Sequence, residues 1–297
     1  MIVFYNDDYV LGADDFDTNR KSQAIANGLP GSFDIQSPED LYTETEALIR
    51  TVHDENYVNA VKDGHPEHLA RSNGLEWDPT VFDMALAHNA GCLAAAKTAA
   101  YQGNAVATLS SGLHHATYDM GAGFCTFNGI AVAAYWLASQ GLTTCIIDLD
   151  AHCGGGTYSM INHDTTYQLD CSVSAFDRYV TVDGLDRQMM SSAEHYIENI
   201  MDLIHGEQLD QIDADIFIYN AGVDPINCGV TAAQLACRES MMADFFQRQG
   251  KPVIVTMAGG YTWDSNTMDD IRDLHIDTLQ QMSTVKTAPA LTLASAK

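Results

Sequence analysis

Ile146-Ile147-Asp148-Leu149-Asp150-Ala151-His152-Cys153-Gly154-Gly155-Gly156-Thr157 is the stretch on which the reading of this chain turns. The apolar run from Cys145 to Ile147 predicts a buried strand, and Asp148, Asp150 and His152 follow at alternate positions. Side chains alternate between the two faces of a strand, so these three would leave its carboxyl end on one side. Two carboxylates and an imidazole there would repel or stand unpaired unless a divalent cation or other basic groups met them. A metal site is one reading. The other is a turn in which Asp148 and Asp150 cap the next segment and His152 faces solvent.

Outward from this stretch, apolar strands alternate with helical segments. Strands are expected at 1–5, 105–109, 143–147, 167–172, 216–219 and 252–257. Helices are expected at 18–28, from Ser37-Pro38-Glu39-Asp40 towards Arg50, from Asp54, and at 79–101, 129–139, 191–205 and 231–249. Such alternation argues for one α/β domain whose mainly parallel sheet is flanked by helices on both faces. In sheets of this kind the ligand site lies outside the carboxyl ends of the strands. The domain is expected over 1–282, with 283–297, rich in Thr, Ala and Ser, as a loosely ordered tail. Segment 64–78 reads as a loop in which His65 and His68 are solvated.

Forty acidic residues against fourteen basic ones give a formal charge of -26 over 297 residues. That charge argues against nucleic acid as a partner. It suits either solubility or attraction of a cationic substrate. Seven cysteines stand singly and no secretory leader precedes Val3, which points to a reducing cytoplasm. No apolar run reaches the roughly 18 residues of a membrane helix. No long insertion announces a dimerisation element, so a monomer is favoured.

Unusual polar groups follow several of the expected strands. Leu113-His114-His115-Ala116 and Gly121-Ala122-Gly123-Phe124-Cys125 come after 105–109, Asn220-Ala221-Gly222-Val223-Asp224-Pro225 after 216–219, and Ala258-Gly259-Gly260-Tyr261 after 252–257. If Asp150, His152 and Asp224 meet, they form an oxygen, nitrogen, oxygen ligand set with room for water, which suits catalytic zinc. His114 or His115 would then serve as general base and Tyr261 as oxyanion stabiliser.

In these motifs, and in His53-Asp54-Glu55-Asn56-Tyr57-Val58, the chain resembles the zinc-dependent histone deacetylase superfamily, which includes acetylpolyamine amidohydrolases and shares its fold with arginases. The resemblance runs from about Met1 to Thr262. It implies one zinc ion on Asp150, His152 and Asp224, with Tyr261 polarising the substrate carbonyl. It makes His115 the general base and acid, and His114 an electrostatic partner paired with Asp148. Phe124, Phe176, Gly123 and Gly259 fall at substrate-binding positions, the two phenylalanines as opposite walls of an acyl-lysine tunnel. Asp148, Asp150, His152 and Ser172 match a monovalent-cation site, usually potassium. Cys125 and Cys153 read as packing residues, not ligands. Gly154 and Ala221-Gly222-Val223 lack the extra acids of a dinuclear arginase site.

The implied reaction is removal of an acetyl or other acyl group from an amine nitrogen, on acetyl-lysine or an acetylated polyamine or small amine. One position departs from the pattern: where the family carries a carboxylate or amide partner for His115, this chain has Gly155. Either another residue or water substitutes, or the protein is a weak or inactive deacetylase-like zinc protein that binds an acylated ligand without turnover. The segment Pro225-Ile226-Asn227-Cys228-Gly229 is also shorter than usual, so the rim of the pocket is expected to differ.

Overall fold

The computed structural model describes residues 1–12, 20–182, 184–263 and 265–287. Eight strands form one sheet: β1 (Ile2–Phe4), β2 (Asp34–Gln36), β3 (Ala105–Thr108), β4 (Thr144–Asp148), β5 (Thr166–Ser172), β6 (Arg187–Met190), β7 (Ile216–Asn220) and β8 (Val253–Thr256). Their spatial order is β2-β1-β3-β8-β7-β4-β5-β6, and every neighbouring pair is parallel. The helices are α1 (Lys21–Gly28), α2 (Tyr42–Val52), α3 (Glu55–Asp63), α4 (Glu67–Ala70), α5 (Val81–Gln102), α6 (Gly129–Ser139), α7 (Gly155–Met160), α8 (Tyr196–Ile204), α9 (Glu207–Gln211), α10 (Ala232–Gln249) and α11 (Met268–Ser283).

The central strands are buried at every position because both faces are covered, and they are apolar except at their ends. Cys145 and Ile147 of β4, Phe217 and Tyr219 of β7, and Val253 and Val255 of β8 share one core with Ile200 and Leu203 of α8, Phe246 of α10 and Leu279 of α11. Ile146, Ile218 and Ile254, the residues between them, face a second core built with the alanines of α5 and with Ile130 and Leu137 of α6. The period-2 alternation of a strand thus feeds two layers of helices. A third, smaller cluster joins Ile49, Tyr57, Val58, Phe82 and Phe127 away from the sheet.

Local signals start and stop these helices. Asp54 accepts from the backbone N–H groups of Asn56 and Tyr57 and caps α3, while Thr231 and Gln234 form a reciprocal capping box on α10. The motif beginning at His53 has a scaffolding task. His53 Nδ1–H donates to Thr117 O at 2.9 Å, its Nε2 accepts from the Asn128 N–H at 3.0 Å, and the Tyr57 hydroxyl donates to Thr126 O at 2.6 Å. These bonds fasten the segments that carry the histidine pair and Phe124 to the helical layer.

The structure adds elements to those expected. The edge strands β2 and β6 and the short helices α7 and α9 are additional, α4 lies inside the expected loop 64–78, and α11 runs to the start of the expected tail. Edge strands such as Asp34-Ile35-Gln36 have no doubly buried apolar run by which to announce themselves. The expected helix 18–28 is described from Lys21, and residues 18 and 19 lie outside the described residues. Of the expected tail only 283–287 is described, and Lys286 exchanges main-chain hydrogen bonds with the side chain of Gln247.

Candidate active site

A row of polar side chains runs across the carboxyl ends of the inner strands. Strand register places Asn220 opposite Thr256, Asp148 opposite Asn220, and Asp170 opposite Asp148. Thr256 donates to Asn220 Oδ1 at 2.7 Å, and Asn220 Nδ2 donates to Asp148 Oδ1 at 2.9 Å. Asp170 accepts from the Gly154 N–H at 2.7 Å and from the Ser172 hydroxyl. All of these side chains are buried. Burial and the facing Asp148 carboxylate push the Asp170 carboxyl up to about 8.

Directly above this row, donor atoms of Asp150, His152 and Asp224 lie within 4.8 Å of one another. His152 Nδ1 sits 3.2 Å from Asp150 Oδ1 and 3.0 Å from Asp224 Oδ2. The latter contact lacks hydrogen-bond geometry, so Asp224 Oδ2 is a fully buried carboxylate oxygen with no hydrogen-bond partner. Burial works against charge on all three groups. Against it, the two carboxylates push the His152 imidazole up to about 11, and the imidazoles of His114 and His152 hold Asp150 below the usual carboxylate range. Burial and the Asp150 charge raise Asp224.

A buried carboxylate oxygen without a donor, beside a second carboxylate and an imidazole nitrogen, is a mixed O, N, O set that a divalent ion satisfies. The backbone leaves room for it: a Cβ on Gly259, at φ +56°, would stand 2.3 Å from Asp224 Cγ. The residues present therefore fit a metal ion of the kind expected. A second cluster, His114, His115 and Asp150, shares Asp150, but both of its histidines already direct Nδ1 to other carboxylates.

His114 and His115 follow β3, with ring centroids 4.0 Å apart. His114 Nδ1 donates to Asp148 Oδ2 at 2.7 Å, and its Nε2 is 3.5 Å from Asp150 Oδ1. Burial opposes charge here too, yet Asp148 and Asp150 push His114 up to about 10. His115 moves the other way: burial and the positive charge of His114 hold it below the ordinary histidine value. The pairing with Asp148 is as expected. The missing partner of His115 is not missing, because its Nδ1 meets Asp177 Oδ2 at 2.9 Å.

Above the histidines the structure opens into a tunnel. Phe124 and Phe176 line its mouth with His115, His152, Tyr261 and Trp263, and an inner chamber is lined by Lys21, His114, His115, Asp150, Gly259 and Tyr261. Phe176 meets His115 edge-on at 4.8 Å and His152 at 5.9 Å. Gly123 and Phe124 both take positive φ, 50° and 65°, where the chain bends to the wall. Trp263 stacks on Tyr261 at 4.4 Å. Burial and the negative charges of Asp224 and Asp150 push the Tyr261 phenol well up, so it is a hydroxyl donor at neutral pH.

All the residues expected at the site, including Gly123, Gly259 and Ser172 at its borders, thus stand at the same end of the sheet. Cys125 and Cys153 are buried thiols pushed up to about 12 by burial, and among the described residues neither joins a metal cluster. His65 and His68 are exposed and belong to neither cluster. Four neighbours were not anticipated: Asp170, Asp177, Lys21 and Trp263. Lys21 is fully buried, donates Nζ to Gly259 O and is lowered to about 8 by burial. An aspartate inside the expected strand 167–172 was a readable sign for Asp170; the other three carry no local signal.

The chain is similar to several known proteins. The histone deacetylase domain family matches residues 19–180, more than half of the chain. An uncharacterized protein of Picosynechococcus sp. is 28% identical over 80% of this chain and 84% of its own length. Histone deacetylase 2 of Arabidopsis thaliana is 25% identical over 80% of this chain and 66% of its length. The acetoin utilization protein AcuC of Staphylococcus aureus is 32% identical over 46% of this chain and 39% of its length. Among solved structures, an acetylpolyamine aminohydrolase from Burkholderia pseudomallei superposes with a TM-score of 0.74, covering 96% of this chain and 99% of its own at 16% identity, a likeness of fold. The chain belongs to the histone deacetylase domain family and is a deacetylase, an amidohydrolase of that fold.

Proposed function

We propose that this protein is a zinc-dependent amidohydrolase that removes an acetyl group from the amine nitrogen of acetyl-lysine or of an acetylated polyamine or small amine. One observation carries the reading: the O, N, O cluster of Asp150, His152 and Asp224 lies at the inner end of an aromatic tunnel, beside His115 and Tyr261. A zinc ion held by those three residues would supply Lewis-acid polarisation of the amide carbonyl and make water nucleophilic at neutral pH.

The chain's own groups do the rest. Phe124 and Phe176 flank the methylene stem of the substrate and exclude water from the path to the reacting carbonyl. His115, with its proton on Nδ1, accepts the proton of the attacking water at Nε2 and returns it to the leaving amine nitrogen. Tyr261 donates its hydroxyl to the carbonyl oxygen as that atom gains negative charge. His114, held as a cation by Asp148, adds positive charge beneath the site. A potassium ion on Asp148, Asp150, His152 and Ser172 would relieve the repulsion between the facing Asp148 and Asp170 carboxylates.

The negative charge of the chain suits a substrate whose far end is cationic. We place the catalytic unit in 1–282 and propose that it works as a monomer in a reducing cytoplasm. All seven cysteines are unpaired, and no described helix is long and apolar enough to cross a membrane. The alternative of a binder without turnover rested on Gly155, and Asp177 now stands in the place of the side chain absent there.

Zinc-reconstituted turnover of an acetyl-lysine peptide and an acetylated diamine tests the reading. Asp224→Ala should lose both metal and activity. His115→Ala should keep one zinc per chain while kcat falls by about 10²–10⁴, the share of a positioned base. Hydrolysis that survives chelation, or a His115→Ala variant as fast as the parent, would overturn it.

A further inference from the structure

We propose that Asp177 is the positioning residue of His115: the carboxylate that orients the general base comes from the loop after β5, and Gly155 is glycine because Asp177 occupies the space above it. The inference rests on the reading of His115 as the base. Asp177 Oδ2 accepts from two donors, His115 Nδ1 and the Gly156 N–H, each at 2.9 Å. A Cβ built on Gly155 would stand 2.3 Å from the Asp177 carbonyl oxygen and 2.5 Å from its Oδ1. A side chain at 155 and Asp177 in its present place therefore exclude each other. The two positions form one device with a single occupant.

The backbone explains how a residue 62 positions from His115 reaches it. Beyond β5 the chain keeps running beside the chain beyond β4. Val173 and Ser174 N–H groups both donate to Ala151 O, at 3.0 and 2.7 Å, and the Cys153 N–H donates to Phe176 O at 3.0 Å. These bonds set Phe176 against the rings of His115 and His152. Asp177 then takes φ +59°, a left-handed conformation that aspartate tolerates better than most residues, and the chain turns its carboxylate back towards His115. One short segment thus supplies both a tunnel wall and the partner of the base.

The second donor makes this partner specific about which proton His115 holds. An acceptor at Nδ1 fixes the Nδ1–H tautomer and leaves Nε2 as the basic atom. The Gly156 N–H pins the same oxygen, so an amide at 177 would also present its oxygen, not its NH2 group, to the imidazole. Asp177→Asn should accordingly preserve the tautomer. Asp177→Gly, which suits φ +59° without strain, should remove the acceptor alone.

The test uses the zinc-loaded full chain, comparing kcat, KM, zinc content, hydroxamate affinity and thermal midpoint in the parent, Asp177→Gly, Asp177→Asn and His115→Ala. The expected result for Asp177→Gly is a fall in kcat of about 10–100-fold, part of what a positioned base contributes, with KM, zinc and hydroxamate affinity within about threefold of the parent. Asp177→Asn should recover most of the lost kcat. A kcat for Asp177→Gly within threefold of the parent overturns the proposal, and so does a loss that merely tracks lost zinc, hydroxamate binding or folded protein. Should Asp177→Gly fail to fold, the His115 Nδ1 proton decides. Identified by its absence in His115→Ala, it should resonate far downfield in the parent and move upfield in Asp177→Asn; an unmoved signal overturns the proposal. If His115→Ala itself turns over normally, the reading of His115 as base has failed instead, whatever Asp177 does.

Discussion

His114 and His115 are neighbours in the chain with rings 4.0 Å apart, yet they are held in opposite ways. The partner of His114 is Asp148, the last residue of β4, which is buried and fixed from the other side by Asn220. The partner of His115 is Asp177, on a loop, with about a quarter of its side chain exposed. The first imidazole is pushed up to about 10 and is a fixed cation of the framework. The second is held below the ordinary histidine value, which suits the base proposed for it. Adjacent identical residues thus acquire different chemistry from where their carboxylates are mounted.

The sharpest way to break this comparison is to remove each carboxylate and measure stability. Asp148 accepts from His114, from Asn220 Nδ2 and from the Asp150 N–H. Asp148→Ala leaves a buried imidazolium and two buried donors without their acceptor, so it should cost about 3–5 kcal/mol in urea unfolding. Asp177→Gly, at the edge of the pocket, should cost far less while affecting turnover more. Equal losses of stability would mean that both pairs are framework.

That contrast also marks what could be read in the amino-acid sequence. The stretch that carries two of the proposed metal ligands was legible because the chain leaving β4 delivers Asp148, Asp150 and His152 within five residues, so strand alternation alone puts them on one side. Asp224 and Tyr261 were legible as polar groups just beyond strong apolar strands. Asp177 was not, because nothing in its neighbourhood records that the β5 loop lies against Gly155; the clue was the missing side chain at 155, not anything at 177. Lys21 and Trp263 are reached only through the packing of α1 and of the segment after β8. Edge strands β2 and β6 escaped because they lack the second buried face that makes the inner strands apolar.

A third histidine sharpens the comparison by having no carboxylate at all. His53 is buried, donates Nδ1–H to a carbonyl and accepts a backbone N–H at Nε2, and burial lowers it to about 4. Its folded value lies below its unfolded value of about 6.5, so the folded state binds the proton less readily. Its contribution is complete above pH 6.5 and is lost as the pH falls towards 4. The slope approaches about 1.4 kcal/mol per pH unit, about 3 kcal/mol in all. His53→Gln should lack that acid limb, and the difference between its urea midpoints and those of the parent should shrink between pH 6.5 and 4. Parallel profiles would show that burial does not hold the folded His53 below its unfolded value.

The smallest expected effect tests the closest approach in the second pair. Gly155→Ala puts a methyl group 2.3 Å from the Asp177 carbonyl oxygen, and a main-chain atom cannot swing aside as a side-chain tip can. The loop must move, at about 1–3 kcal/mol, the usual cost of overpacking. As it moves, Asp177 should draw away from His115, so kcat should fall although neither residue has been changed. Gly184 is the control: a Cβ there meets nothing within 4 Å, and Gly184→Ala should stay within about 0.5 kcal/mol of the parent and keep full kcat. Urea midpoints and turnover of the two variants, measured together, separate a glycine required by a neighbour from one that is merely present. If Gly155→Ala behaves as Gly184→Ala does, Asp177 does not fill the space above Gly155, and the mounting of the His115 partner must lie elsewhere.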